Sequence, residues 1–383
     1  MGQYCGVRIA VNARLLADQP LEGMGLYTVE ILRGLLAALP EADFLLVTDR
    51  RGPLPELPRP VERVVAYPPA RHPVLFYAWF ELAVPRVLRR WRADVFLSCD
   101  NFCSLRADVP TLLVVHDLAY RHLPNGVSAL ELAYYRRYMP RFVRRADVLV
   151  AVSEYTRRDL AEAYGVDVAS VAVAYNGVRP RFKQLSPKQA AGVRERLTAG
   201  QPYFLFLGAV HPRKNVDGLV RAFDRFCASG VGEHHLVIAG RMSWGTSSTA
   251  AAIDASPHRA RIHVLGRVAE NELAGVVGAA HALVLPSHFE GFGVPLVEAM
   301  ACGVPVVASD VSALPEVVGE AGLLVDPASD ESIAGALERL AIDKELWRAL
   351  GAAGVERAVR FTWEAAVGVI AEEVERLLGE GPG

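Results

Sequence analysis

Lysine is what the first half of this chain lacks. Residues 1–180 contain none, against 22 arginines and 19 acidic residues, a net of about +3, while the rest carries 19 basic and 24 acidic residues, about −5. The overall charge of −2 gives no reason to expect a nucleic-acid partner. Cysteine is also sparse: Cys5, Cys99, Cys103, Cys227 and Cys302 form no CxxC pair. An odd count at such spacings excludes a disulfide framework and reads as reduced thiols. Cys99 and Cys103 make at most half a metal site, since no second ligand pair follows. No apolar run approaches the roughly 18 residues that span a bilayer. The opening "MGQYCGVRIAVNARLL" goes straight into a strand pattern, unlike a signal peptide. Gly6 stands where a myristoylation motif wants Ser or Thr. These absences predict a cytoplasmic protein, at most resting on the inner face of the cell membrane.

Apolar material is plentiful. Hydrophobic residues make up 52% and charged residues 22% of 383 positions, enough for two domains with cores of their own. Short β-branched runs alternate with longer helical patterns throughout. The strand candidates are "VRIAVNA", "DFLLVTD", "DVFLSC", "TLLVVHD", "DVLVAVS" and "SVAVAYNG", then "YFLFLGA", "HHLVIAG", "RIHVLG", "HALVLPS", "PVVAS" and "GLLVDP". Nearly continuous apolar strands separated by helices predict parallel sheets covered on both faces. The fold class is therefore α/β with two Rossmann-like, doubly wound domains. Their division falls in the polar stretch from Asn176 to Gln201. A last amphipathic helix runs from Trp363 to Leu378, with apolar residues at Ala366, Val369, Ile370, Val374, Leu377 and Leu378, before a fraying "GEGPG".

Ligands of open parallel sheets bind beyond the carboxyl ends of the strands, so the loops there hold the candidate residues. After "HALVLPS" comes "HFEGFGVPLVEAM". Pro295 suits the first turn of a helix, Gly291 and Gly293 allow close backbone approach, and the helix N-terminus favours an anion or sugar hydroxyls. Glu290 before the turn and Glu298 one turn into the helix could each serve one sugar of a nucleotide sugar. The spacing is equally compatible with solvated glutamates on a connection. After "YFLFLGA", Arg213 and Lys214 suit a pyrophosphate leaving group, with Asn215 placed to cap the next helix. His116 and Asp117 end "TLLVVHD"; a histidine at a strand's C-terminal end is a site candidate, whereas a lone buried histidine is more often structural. In "EGMGLYT", Gly23 and Gly25 offer close approach to a phosphate, although Thr28 spoils any dinucleotide fingerprint.

Together these motifs resemble a family. With "EGFGVPLVE", "FLGAVHPRKN", "VVHD", "EGMGLYT", "AVSEYT", "YNGV" and "LPEVVG" in order over nearly the whole chain, the sequence resembles the retaining glycosyltransferases of family 4, which have the GT-B fold, and within them the mannosyltransferase-like branch. The resemblance implies an acceptor-binding domain over residues 1–182, a nucleotide-sugar-binding domain over 183–360, and a helix over 361–383 that crosses back, the domains facing across a cleft that closes over the donor. It implies that Glu290 contacts the donor sugar, Glu298 the ribose, and the amides around Phe292, Gly293 and Val294 the sugar and phosphate. Arg213 and Lys214 would stabilise the departing diphosphate, Gly25 would approach it, and His116 would line the sugar pocket; Gly23, Asp117 and Gly291 join the donor site. Many members carry arginine directly after "FLG", where this chain has Ala209, so the diphosphate rests more heavily on Arg213 and Lys214. The family needs no divalent metal and no other cofactor. The implied donor is GDP-mannose, with UDP-sugars behind it, and the implied acceptor a glycan, a lipid-linked sugar or a small molecule. A GT-B phosphorylase or epimerase and a non-catalytic nucleotide-sugar binder are the other readings. The base pocket is expected near "LGRVAENEL". The arginine- and aromatic-rich segments 84–92 and 134–145 would either rest on an anionic membrane or be solvated helices.

Overall fold

The structure, a computed structural model, describes residues 6–18, 21–70, 72–242 and 247–379. Cys5 and residues 380–383 of the "GEGPG" tail lie outside the described residues, as does the Met-Gly start. Two compact units emerge, one formed by residues 1–176 with 363–383 and the other by 177–362.

The first unit is built on seven parallel strands: β1 (Arg8–Asn12), β2 (Asp43–Thr48), β3 (Glu62–Val65), β4 (Val95–Ser98), β5 (Thr111–Val115), β6 (Val148–Ala151) and β7 (Val171–Val173), ordered β3-β2-β1-β4-β5-β6-β7. Register is set by the apolar runs: Ile9 lies beside Phe44 on one side and Val95 on the other. The chain winds one way from β1 to β3 and the other way from β4, so the strand order reverses between β1 and β4. Every residue of β4 and β5 is buried, as expected of strands covered on both faces. Strand β3 is an addition to the six expected in this half. It is a four-residue edge strand whose side chains are exposed or only half-buried, so it has no apolar run to betray it.

Helix Gly23–Ala38 buries Tyr27, Ile31, Leu32, Leu35 and Leu36, a stripe at helical spacing. Against it packs the C-terminal helix, Trp363–Gly379, which buries Trp363, Ala366, Val367, Ile370, Val374 and Leu377. Of the apolar positions expected to face inward, Val369 and Leu378 are instead half-buried at the margins of the stripe. Gly34 lets the two helices touch, because a methyl group there would lie 2.2 Å from Val367 Cγ2. Helix Ala129–Arg145 starts with a reciprocal capping box between Ser128 and Glu131.

The second unit repeats the plan with six parallel strands: β8 (Tyr203–Leu207), β9 (His235–Ala239), β10 (Ile262–Gly266), β11 (Ala282–Leu285), β12 (Val306–Ser309) and β13 (Gly322–Val325), ordered β10-β9-β8-β11-β12-β13. All six were legible as apolar runs. Here the order reverses between β8 and β11. Cys99, Cys103, Cys227 and Cys302 are buried free thiols, and burial raises each one, Cys302 to about 12. Among the described residues no group of three His, Cys, Asp or Glu is placed to hold a metal ion, and no helix is long and apolar enough to cross a membrane.

The Gly34–Val367 contact yields a test. Gly34→Ala gains about 1 kcal/mol of helix propensity but overpacks the helix pair, a cost of about 1–3 kcal/mol. Urea unfolding should show net destabilisation by Gly34→Ala, and the double variant Gly34→Ala/Val367→Ala should be more stable than the sum of the two single effects.

Candidate functional site

In the second unit, the loops after β8 and β11, the strands flanking the reversal, converge on one carboxylate. After β11 the chain runs through Ser287 and Glu290 to Gly293, then into helix Val294–Ala301 with Pro295 in its first turn. Gly293 has φ 101°, and a Cβ there would lie 2.8 Å from Leu314 Cδ2, so both backbone and packing demand glycine. Pro295 brings no N–H and the Leu296 amide donates to the Gly293 carbonyl at 2.9 Å, so in the first turn the Val294 amide is the one placed for a ligand. Phe292 is buried, its ring edge-on to Phe361 at 5.5 Å.

Glu290 is buried. Arg213 Nη1 donates to its Oε2 at 2.9 Å and to the Phe289 carbonyl at 2.5 Å, while Lys214 Nζ donates to Oε1 at very short range. Ser287 Oγ also donates to Oε1, at 2.7 Å, and the Glu290 amide donates to Ser312 Oγ at 3.0 Å. Burial by itself would push this carboxyl up. The Arg213 guanidinium and the Lys214 ammonium outweigh burial and bring it down to about 2. Arg213 and Lys214 sit in a single 3₁₀ turn, Pro212–Lys214, that follows β8. The structure thus brings Glu290, Arg213 and Lys214 together across 76 and 77 residues of chain.

Asn215 differs from expectation. It occupies the N-cap of helix Val216–Ala228 in the left-handed region, φ 54°, but its side chain does not cap. Its Nδ2 donates instead to the Pro327 carbonyl at 2.7 Å, tying the Arg213–Lys214 turn to the loop after β13. The tertiary acceptor outcompetes the local amides.

Glu298 belongs to a different cluster. It is buried in the second turn of its helix, where Arg179 Nε donates to Oε1 at 2.8 Å and Nη2 forms an ion pair with the same oxygen at 2.6 Å. Arg179 Nη1 and Arg181 Nη2 donate to Glu270 Oε1 at very short range. Burial pushes the Glu298 carboxyl up to about 7, against the pull of Arg179. Arg179, Arg181 and Ser312 are site residues that no local motif announced, whereas Glu270 lies in the "LGRVAENEL" segment and Ser287 at the end of "HALVLPS". Arg179 adjoins "YNGV" but meets Glu298 only through a separation of 119 residues.

In the first unit, His116 follows β5. Its Nε2 lies 2.8 Å from the Cys99 carbonyl, its amide donates to Asn101 Oδ1 at 2.6 Å, and Tyr27 meets the ring edge-on at 5.0 Å. A carbonyl only accepts, so Nε2 carries the proton. Burial pushes the imidazole down, so the ring is neutral near pH 7 and Nδ1 is left as an acceptor. Asp117 Oδ1 accepts from the Ala119 amide at 3.0 Å and so caps a short turn. Gly23 opens helix Gly23–Ala38 and Gly25 lies within its first turn; a methyl would meet nothing at Gly23 and make only ordinary contacts at Gly25. At the β1–β4 reversal, and unforeseen, Arg14 Nε donates to Asp100 Oδ2 at 2.5 Å, and Asn12 Nδ2 to Ser98 Oγ at 2.9 Å, all buried.

The chain is similar to known proteins. Residues 191–357 match the family model of glycosyl transferases group 1, and residues 21–182 that of glycosyltransferase family 4. The chain is 27% identical over 362 residues to the O-antigen chain mannosyltransferase B of Escherichia coli, covering 90% of this chain and 93% of that protein. It is 30% identical over 306 residues to the MMP alpha-(1->4)-mannosyltransferase of Mycolicibacterium hassiacum, covering 75% and 72%. Sucrose-phosphate synthase from Thermosynechococcus elongatus superimposes with a TM-score of 0.80 over 98% of this chain and 100% of that one, at 20% identity, a likeness of fold.

The Glu290 cluster has a definite pH signature. Its folded value of about 2 lies below the ordinary 4.5, so its contribution to stability is full above pH 4.5 and is lost as pH falls from there towards 2. The loss is on the order of 3 kcal/mol. Urea unfolding at pH 5.5 and pH 3 should show wild type losing more stability over that interval than Glu290→Gln; equal losses would remove the carboxylate from the account.

Proposed function

This chain belongs to glycosyltransferase family 4, in its mannosyltransferase-like branch, and we propose that it moves mannose from GDP-mannose to a hydroxyl of a glycan, lipid-linked or small-molecule acceptor with retention of anomeric configuration. The observation that carries the reading is the Glu290–Arg213–Lys214 cluster at the ends of β8 and β11, beside the N-terminus of helix Val294–Ala301. Two cations beside a helix N-terminus make a receptor for a diphosphate. A bound diphosphate takes over the cations as partners and releases Glu290 to accept hydrogen bonds from the donor sugar. Glu298 accepts from the ribose, and the amides near Phe292, Gly293 and Val294, with Gly291 beside them, hold sugar and phosphate.

The bond from the anomeric carbon to the diphosphate oxygen breaks through an oxocarbenium-like state, so stabilising the leaving dianion is the main electrostatic task. Arg213 and Lys214 perform it, in the role a divalent metal would otherwise fill, and no metal or other cofactor is invoked. The acceptor oxygen bonds to the same face of the carbon, and its proton passes to the leaving phosphate oxygen. His116 is unsuited to removing that proton through Nε2, which already donates to Cys99; its neutral ring lines the sugar pocket and offers Nδ1 as an acceptor. Asp117 adjoins His116, and Gly23 and Gly25 open helix Gly23–Ala38, whose Tyr27 meets the His116 ring.

The acceptor's setting is proposed from the first unit's surface. Arg86, Arg89 and Arg90 on helix Val84–Trp91 and Arg136, Arg137, Arg141 and Arg144 on helix Ala129–Arg145 are exposed, as are the apolar Val74, Leu82 and Leu130. Such a basic, partly apolar face suits the inner leaflet of an anionic membrane.

Thermal unfolding with millimolar GDP, UDP, ADP and dTDP should single out GDP. A nucleotide at about 100 times its Kd adds about 2.7 kcal/mol and raises Tm by a few degrees, a shift that Glu298→Ala should abolish. Glu290→Gln should slow mannosyl transfer by about 100-fold or more. Preference for UDP would overturn the donor, and no shift with any nucleotide would overturn the site. Phosphatidylglycerol vesicles should sediment the protein at low salt and release it at high salt, and Arg136→Glu/Arg137→Glu/Arg141→Glu should abolish binding; failure of the wild type to sediment at low salt would overturn the membrane contact.

A further inference from the structure

We propose that Arg179 is a positioning residue for the donor ribose: it holds Glu298 by one oxygen so that the other is presented to the ribose hydroxyls, and thereby sets the preference for ribo- over deoxyribonucleotides. The inference rests on the reading of Glu298 as the ribose acceptor. Both guanidinium contacts to Glu298, from Nε and Nη2, fall on Oε1. Among the described residues no hydrogen bond to Oε2 is recorded. A fork closed on a single oxygen fixes the plane of the carboxylate and leaves Oε2 as the acceptor. Were the carboxylate free to rotate, it would present no ordered acceptor to a ligand.

Arg179 is itself fixed. Its side chain is 8% exposed, Nη1 donates to Glu270 Oε1, and the guanidinium lies 4.9 Å from the centre of the Phe182 ring. Arg181 braces the same Glu270 oxygen from the other side. The charged and titratable groups that bear on Glu298 are therefore Arg179, Arg181, Glu270 and Cys302, and Arg179 is the cation in contact with it. Lysine could supply the charge but not the fork.

The test is the ratio of affinities for GDP and 2′-deoxy-GDP, and for UDP and 2′-deoxy-UDP, by titration calorimetry; titration of the phosphates is common to each pair and cancels. Wild type should prefer the ribonucleotide by about tenfold or more, the weight of one hydrogen bond to a charged acceptor, and Arg179→Met should reduce the preference to within about threefold. Arg179→Lys should recover part of it. The preference should strengthen with rising pH as Glu298 ionises, with its midpoint at higher pH in Arg179→Met because a nearby cation is gone, a shift that a merely structural role would not produce. Removing one partner of a buried pair destabilises the fold, so the matched variant Arg179→Met/Glu298→Gln, which leaves no unpaired charge, checks the same ratio in a folded protein and should show no preference. Full preference in Arg179→Met, with loss in Glu298→Gln, would overturn the role of Arg179 alone. Full preference in Glu298→Gln would overturn the ribose reading itself, and with it this inference.

Discussion

The second unit's site depends on the cost of burying a charge. Glu290 is almost wholly removed from water, and an isolated carboxylate there would surrender its charge. It remains ionised because Arg213 and Lys214 reach it from the neighbouring strand's loop, with Ser287 adding a further donor. That requirement explains features with no catalytic role of their own. The Arg213–Lys214 turn must be held in place, which Asn215 does by reaching Pro327. The loop after β11 must bend sharply into its helix, which Gly293 permits. Ser312, from the loop after β12, accepts the Glu290 amide and anchors the loop from the other side.

The two glutamates of one motif live in opposite electrostatic settings. Glu290 has two cations and a hydroxyl, and its carboxyl is drawn far down; Glu298 is equally enclosed but meets a single guanidinium that is shared with Glu270, and burial prevails. Eight positions in a glycine turn and one helical turn separate them, yet each faces a different strand loop. This division of labour suits a ligand with two sugars and a diphosphate, whose parts make different demands on charge and on acceptor geometry.

Much of this was legible beforehand, and the misses have physical causes. Twelve apolar runs corresponded to twelve of the thirteen strands, because strands covered on both faces must be apolar throughout. The exception, Glu62–Val65, is an edge strand that needs no such run. The amphipathic stripe of the last helix marked Ile370, Val374 and Leu377 as buried. Asn215 was read as a cap because local propensity is all that a sequence offers at one position, and the Pro327 carbonyl was 112 residues away. Arg179 escaped for the same reason, as nothing local distinguishes a buried arginine beside a turn from a solvated one.

By itself, then, the sequence determined what is local or periodic: the strand runs, the amphipathic helices, the glycine turn with its proline, and the presence of carboxylates and cations at strand ends, which together mark a family. Only the tertiary structure decided which of these groups meet. The pairing of Glu290 with Arg213 and Lys214, the capture of Glu298 by Arg179, and the turning of His116 Nε2 onto Cys99 each join residues between 17 and 119 positions apart. Such contacts are fixed by strand order and register, since a parallel sheet brings to one edge loops that are distant in sequence. The protonation of each group follows from its neighbours there rather than from its own chemistry.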